Sequence, residues 1–199
     1  MDRHKAWTRG RLLRVAIGGG AVVAGGAATA SWNGGRAPVA AQKDDRDVEI
    51  LNFFLLLERL QEGFYREALR AGQLEGDLRR FARTVGAQES QHVARLSDRL
   101  GDQAEPRPKT EFGDAVTDPE RFRTAAIELE ETAISAYIAQ AANLSRAGVA
   151  AIVPLVSVEA RQVAWMRDLA GVSPAPDAAD RARGREAIVA KLREGGFIS

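Results

Sequence analysis

The chain has 199 residues, 45% hydrophobic and 28% charged, enough for one domain of ordinary size plus a short extra segment. It has no cysteine, which excludes a disulfide framework, zinc–thiolate sites and thiol nucleophiles. The formal net charge of +1 conceals an asymmetry: residues 1–41 hold Arg3, Lys5, Arg9, Arg11, Arg14 and Arg36 against Asp2 alone, so the remainder is net negative, which argues against a nucleic-acid-binding domain.

The first forty residues have the layout of an export signal. Residues 1–14 are basic, Val15 to Ala30 is a weakly apolar run rich in Ala and Gly, and Ala28-Thr29-Ala30 supplies small residues for a signal peptidase. A second candidate cleavage follows Val39-Ala40-Ala41. The stretch Thr8-Arg9-Gly10-Arg11-Leu12-Leu13-Arg14 resembles a twin-arginine export motif, with Gly10 where the second arginine would stand. The run is short for a spanning helix, which needs roughly 20 apolar residues, so a membrane anchor would arise only if the signal stayed uncleaved. No later stretch is expected to cross a bilayer. Residues 1–41 are therefore assigned to a signal and linker, and the protein is expected in the periplasm, cell envelope or medium.

From residue 42 to 173 the pattern predicts an all-α four-helix bundle. The first helix runs from about Asp47 to Ala71, with Leu51, Leu55, Glu58, Glu62, Tyr65 and Leu69 on one stripe at steps of three and four. The second runs from about Asp77 to Leu100 and lines Phe81, Val85, Glu89, His92, Leu96 and Leu100 along its inner face. The third opens on Asp118-Pro119-Glu120, a cap residue, a first-turn proline and an acid at the positive helix end, and is drawn to about Ala147. Its inner side carries Phe122, Ala126, Glu130, Ala133, Tyr137 and Leu144. The fourth runs from about Val149 to Ala170, with Leu155, Glu159, Gln162, Met166 and Leu169 inward and Pro154 near its start, where it would kink the helix or set its beginning.

Short turns join helices one to two and three to four, which makes two antiparallel hairpins. Residues 101–117, with Pro106 and Pro108, separate the hairpins. Such a link reaches roughly 55 Å when extended, whereas a bundle of these helices is roughly 35 Å long. It can return the chain along the whole bundle, the long-crossover topology. The tail from Pro174 to Ser199, with a short helix from about Arg185 to Glu194, is expected to pack on the bundle.

An interior stripe should be apolar, because an unpaired buried charge is costly. Here each of the four stripes carries a carboxylate: Glu58, Glu89 with His92 three residues on, Glu130, and Glu159 with Gln162 three residues on. The pattern repeats. Glu58 precedes Tyr65 by seven, as Glu130 precedes Tyr137, and Glu89-x-x-His92 corresponds to Glu159-x-x-Gln162. Carboxylates and imidazole from four facing helices can surround a pair of metal ions, and hard oxygen donors with one imidazole suit iron or manganese. Plainer roles exist for each residue alone. His92 is the only histidine after residue 41, and a lone histidine is usually structural. Glu62 could compete with Glu58 or pair with Arg161. Glu128 and Glu131 lie off the stripe, solvated or paired with arginines. Tyr65 and Tyr137 are core aromatics whose hydroxyls bond nearby carboxylates. The basic run Arg181-Ala182-Arg183-Gly184-Arg185 is a solvated surface.

A family resemblance joins these features. Leu51-Asn52-Phe53-Phe54-Leu55-Leu56-Leu57-Glu58, Phe64-Tyr65, Glu89-Ser90-Gln91-His92, Phe112-Gly113-Asp114-Ala115-Val116-Thr117-Asp118, Leu129-Glu130, Ala136-Tyr137, Val158-Glu159-Ala160-Arg161 and Phe197-Ile198 carry it. Over residues 44–199 the chain resembles the exported bacterial ferritin-like domain proteins, of the desiccation-related kind, that follow twin-arginine-type signals. The resemblance implies Glu58, Glu89, His92, Glu130 and Glu159 as metal ligands, with Gln162, Glu62, Tyr65 and Tyr137 around them, in the di-metal arrangement of ferritin-like bundles. Gln162 departs from it, since a histidine is expected there. One ion would take Glu58, Glu89 and His92; the other would take Glu130, Glu159 and a share of Glu89, with Gln162 outside, and a site that no longer binds two ions is equally allowed. The resemblance names no substrate. Three functions follow as expectations: a two-iron or two-manganese centre reacting with oxygen or peroxide, a metal-free protective bundle of the cell envelope, or a metal store without turnover. Assembly into a homo-oligomer is compatible with each.

Overall fold

A computed structural model describes residues 45–198. The export signal expected over residues 1–41 lies outside the described residues. Among the described residues there are five α-helices: α1 (Asp45–Ala71), α2 (Gly76–Leu100), α3 (Pro119–Ala141), α4 (Arg146–Leu169) and α5 (Arg185–Glu194). Two 3₁₀ turns, Gly101–Gln103 and Gly113–Val116, lie in the link between α2 and α3. Among the described residues there is no named strand, only an isolated bridge between Thr110 and Ile198.

Local chemistry sets the helix ends. Gly72 leaves α1 at φ 73°, a left-handed conformation that costs glycine nothing, and its N–H returns to the Ala68 carbonyl. Asp118 caps α3 by accepting from the N–H groups of Glu120 and Arg121 at 2.9 and 2.8 Å, with Pro119 in the first turn. The third helix stops at Ala141, short of the expected Ala147, and the fourth begins earlier than expected, at Arg146. The reason is a cap that the repeat does not advertise. Ser145 accepts from Gly148 N–H at 3.1 Å, while Asp47 at the head of α1 accepts from Ser145 N–H at 2.8 Å and from its hydroxyl. Pro154 therefore lies inside α4 and does not begin it.

α1 packs on α2 and α3, and α4 packs on α3 and α2, so the four helices close a ring around one core. The crossover runs back along α1. Asn52 pairs with the Gln103 carbonyl and the Glu105 N–H, both at 2.8 Å. Further along, Arg59 donates to the Glu105 carbonyl, Arg107 to Glu62, and the Phe112 ring meets Phe64 with centroids 5.5 Å apart. The link thus climbs the bundle and delivers α3 antiparallel to α1. Gly86 permits the close approach of α2 to α1, since a Cβ there would sit 3.0 Å from Tyr65 Cβ.

The tail closes over the same side. Ile188 and Leu192 of α5 are buried, Phe197 touches Phe112, Lys191 pairs with Glu128 at 2.6 Å, and Arg185 pairs with Glu49 at 2.7 Å. One sequence expectation needs correction. α4 is long and apolar enough, by length and composition, to cross a membrane. Its inward Glu159, Gln162 and Met166 are nevertheless buried against the other helices, and the apolar core helix of a bundle meets the same criterion.

Two aromatic layers bracket the middle of the core. Phe54 and Tyr137 meet at 4.3 Å on one side, while Phe64 stacks on Phe122 at 5.2 Å beside Tyr65 and Phe81 on the other. All six are essentially inaccessible. Each such side chain contributes about 1.5–3 kcal/mol by leaving water, and this apolar excess offsets the cost of the polar layer between them.

Candidate metal centre

The polar layer is made by one turn of each long helix. Glu58 comes from α1, Glu89 and His92 from one turn of α2, Glu130 from α3 and Glu159 from α4. The four carboxylates have no exposed surface, and His92 is 8% exposed. Their spacing follows from helix geometry: residues three apart share a face, so Glu89 and His92 both point inward.

His92 Nδ1 is the centre of the cluster. It lies 3.1 Å from Glu58 Oε2, 3.0 Å from Glu159 Oε1 and 3.3 Å from Glu89 Oε2. One ring nitrogen carries at most one proton. Its hydrogen bond is with Glu58, which leaves Glu89 Oε2 and Glu159 Oε1 buried without a donor. Orphaned buried acceptors are uncommon and call for a cause. A cation would remove the deficit. One donor atom from each of Glu58, Glu89, His92 and Glu159 lies within 4.8 Å of the others. First-row divalent ions hold such donors at about 2.0–2.2 Å, so donors on opposite sides stand roughly 4.4 Å apart. The donor set of three carboxylates and one imidazole suits iron or manganese.

The remaining contacts fix these groups. Tyr137 donates its hydroxyl to Glu58 Oε1, and Tyr65 donates to Glu130 Oε1, so each hairpin supplies the phenol that holds the other hairpin's carboxylate. Gln162 Nε2 donates to Glu89 Oε1 at 2.6 Å and to Gln88 Oε1 at 3.1 Å. Gln61 Nε2 donates to Glu130 Oε2 at 2.8 Å and to Glu159 Oε2 at 3.1 Å.

The protonation of the layer reflects crowding. Burial, then repulsion from Glu159 and Glu58, pushes Glu89 well above the usual carboxylate range. Burial, then Glu159 and Glu89, does the same to Glu130. Burial, then Glu58, raises Glu159, with His92 opposing. Burial alone would lower His92, but the carboxylates of Glu159, Glu58 and Glu89 outweigh it and raise the imidazole to about 12. Burial, then the adjacent carboxylate, holds the hydroxyls of Tyr65 and Tyr137 protonated well past their ordinary value. Without metal the layer keeps protons because it has no other source of positive charge. A divalent ion would displace them.

Of the residues expected from sequence, Glu58, Glu89, His92 and Glu159 converge. Glu130 adjoins them but offers no free oxygen, because Tyr65 and Gln61 take both. Gln162, Tyr65 and Tyr137 bond the carboxylates. Glu62 stands apart: it is half-buried, accepts from Ser90 at 3.0 Å and from Arg107, and is held below the usual carboxylate range because Arg107 and Ser90 outweigh its burial. It pairs with Arg107 and, at 3.8 Å, with Arg66, while Arg161 is exposed. Glu131 pairs with Arg167 and Glu128 with Lys191. The sequence stripe missed Gln61 and Gln88. Gln61 was findable, because it follows Glu58 at the same three-residue step that joins Glu89 to His92.

Bundle topology and a buried carboxylate–histidine layer define the class. The family model described as the ferritin-like domain matches residues 46–172, and the chain belongs to that family. No curated protein matches the chain.

Proposed function

We propose that this chain is an exported ferritin-like protein that holds iron or manganese in its core and reacts it with oxygen or peroxide. The observation that carries the metal assignment is the convergence of Glu58, Glu89, Glu159 and His92 Nδ1, with two buried carboxylate oxygens lacking any donor. The bound ion would supply redox chemistry by passing between its divalent and trivalent states.

The chain's own groups do the rest. The three carboxylates offset the charge of the ion, and Gln61 ties Glu159 to Glu130 by donating to both. Tyr65 and Tyr137 keep Glu130 and Glu58 oriented. The aromatic layers exclude bulk water. His92 is the one member of the group with accessible surface, so ion and oxidant would approach past it. Export rests on the basic, apolar and small-residue sequence of residues 1–41, and a twin-arginine route would carry the chain already folded.

The test is oxidant consumption on adding Fe(II) or Mn(II) to the purified chain, beside a Glu89→Ala, His92→Ala double variant. Consumption in the native chain and none above background in the variant is expected. Metal retention without consumption would make it a store, and neither would make it a metal-free protective bundle. N-terminal sequencing of the chain recovered from the cell envelope tests export, with a start after Ala30 or Ala41 expected.

A further inference from the structure

The internal repeat pairs Glu58 with Glu130, Tyr65 with Tyr137, Glu89 with Glu159, and position 92 with position 162. It breaks at two places. His92 corresponds to Gln162, and Gln61, three residues after Glu58, corresponds to Ala133, three residues after Glu130. Both breaks act on the same side of the layer.

On the His92 side, Glu58 Oε2, Glu89 Oε2 and Glu159 Oε1 face one nitrogen, and the last two have no hydrogen bond. On the opposite side no such oxygen is left. Glu130 Oε2 and Glu159 Oε2 share the amide of Gln61, Glu89 Oε1 takes the amide of Gln162, and Glu130 Oε1 takes the Tyr65 hydroxyl. Gln61 and Gln162 are 1% and 2% exposed, and both amide oxygens are without donors. With the carboxylates ionised around a bound ion, turning either amide over would set its oxygen against a carboxylate, so the NH₂ groups stay where they are. An amide brings two N–H donors and the positive end of a dipole without a net charge. Two of them occupy the ground that a second cation would need.

We propose that the chain holds a single metal ion, bound by Glu58, Glu89, Glu159 and His92, and that the side-chain amides of Gln61 and Gln162 replace the second ion of the pair that the repeat suggests. This rests on the metal centre proposed above and decides between the two-ion centre and the site unable to hold two ions that the sequence left open. Glu130 becomes a positioning residue, tied to Glu159 through Gln61. The site takes one hard divalent cation, and its asymmetry is written in two positions, 61 and 162.

The experiment is a Mn(II) titration of the full chain with metal content measured after removal of free ion, together with electron paramagnetic resonance of the bound metal. About one ion per chain is expected, with the hyperfine pattern of an isolated Mn(II). A Gln61→Ala, Gln162→His double variant, which restores the repeat on both counts, is expected to bind about twice as much and to show a spin-coupled pair. Two ions in the native chain, or a coupled spectrum from it, would overturn the single-ion assignment and leave the metal centre standing. No ion in the native chain would overturn both. If the variant fails to fold, as circular dichroism would reveal, the stoichiometry and spectrum of the native chain still decide.

Discussion

Tyr137, near the end of α3, donates its hydroxyl hydrogen bond to Glu58 on α1, and the equivalent donor of the first hairpin, Tyr65, holds Glu130. The two hairpins therefore lock each other through the polar layer. A Tyr137→Phe change keeps the ring against Phe54 but leaves Glu58 Oε1 buried without its donor. Unfolding in urea should show a loss of about 1–3 kcal/mol in the metal-free protein. Tyr65→Phe should behave alike. Because both sit on one network through Gln61, Glu159 and His92, the double change should cost less than the sum. Additive losses would mean that the two phenols act independently.

Stability of the metal-free protein should fall as pH rises. Glu89, Glu130 and Glu159 titrate above their ordinary 4.5 when folded, and His92 above its ordinary 6.5, at about 12. In each case the folded state binds the proton more tightly than the unfolded chain does. Where the folded state holds more protons, raising the pH destabilises it. The carboxyl contribution is complete below about pH 4.5 and is lost above it; that of His92 is complete below 6.5 and is lost as pH climbs toward 12. Melting temperatures at about pH 5, 7 and 9 check this. Metal affinity should run the opposite way, tightening with pH and releasing protons on binding. A metal-free protein that melts higher at alkaline pH would contradict the crowded-carboxylate account.

Glu89→Gln separates stability from binding. The new amide can still accept from Gln162 on one side, with its NH₂ beside His92 Nδ1 on the other. Repulsion from Glu159 and Glu58 disappears. The metal-free variant should be more stable by about 0.5–2 kcal/mol while binding metal at least tenfold more weakly, about 1.4 kcal/mol in affinity. Denaturation and metal titration of the same sample would read both. A less stable variant would show that the carboxyl group of Glu89 supports the metal-free fold.

The bundle itself was legible because its signals are periodic. Apolar residues and carboxylates share each stripe, and the length of the 101–117 link dictates a crossover. What stayed hidden depends on contacts between distant segments. The α3–α4 turn is set by Asp47, far away in sequence, acting on Ser145, so the helix pattern alone drew α3 too long. Glu62 looked inward by its four-residue step from Glu58, yet Arg107 from the crossover draws it outward. Gln61 has the polar character of a surface residue and becomes a core amide only because Glu130 and Glu159 meet it there.

The Asp47 clasp gives a prediction independent of metal. A Cβ at Gly148 would stand 2.6 Å from Asp47 Oδ2 and 2.9 Å from Leu144 Cδ2. Gly148→Ala should therefore destabilise the fold by about 1–3 kcal/mol, as overpacking does. Asp47→Ala should cost a similar amount by removing the acceptor of Ser145 N–H and hydroxyl. Metal affinity of either folded variant should stay within a factor of about two. A large loss of affinity would mean that the α3–α4 turn governs the polar layer.

The central claim is most directly tested by anomalous diffraction at the metal edge from crystals soaked separately in Mn(II) and Fe(II). A peak among Glu58 Oε2, Glu89 Oε2, Glu159 Oε1 and His92 Nδ1 is predicted, with no second peak beside Gln61 and Gln162. No peak in the layer, with His92 still hydrogen-bonded to Glu58, would contradict the metal centre.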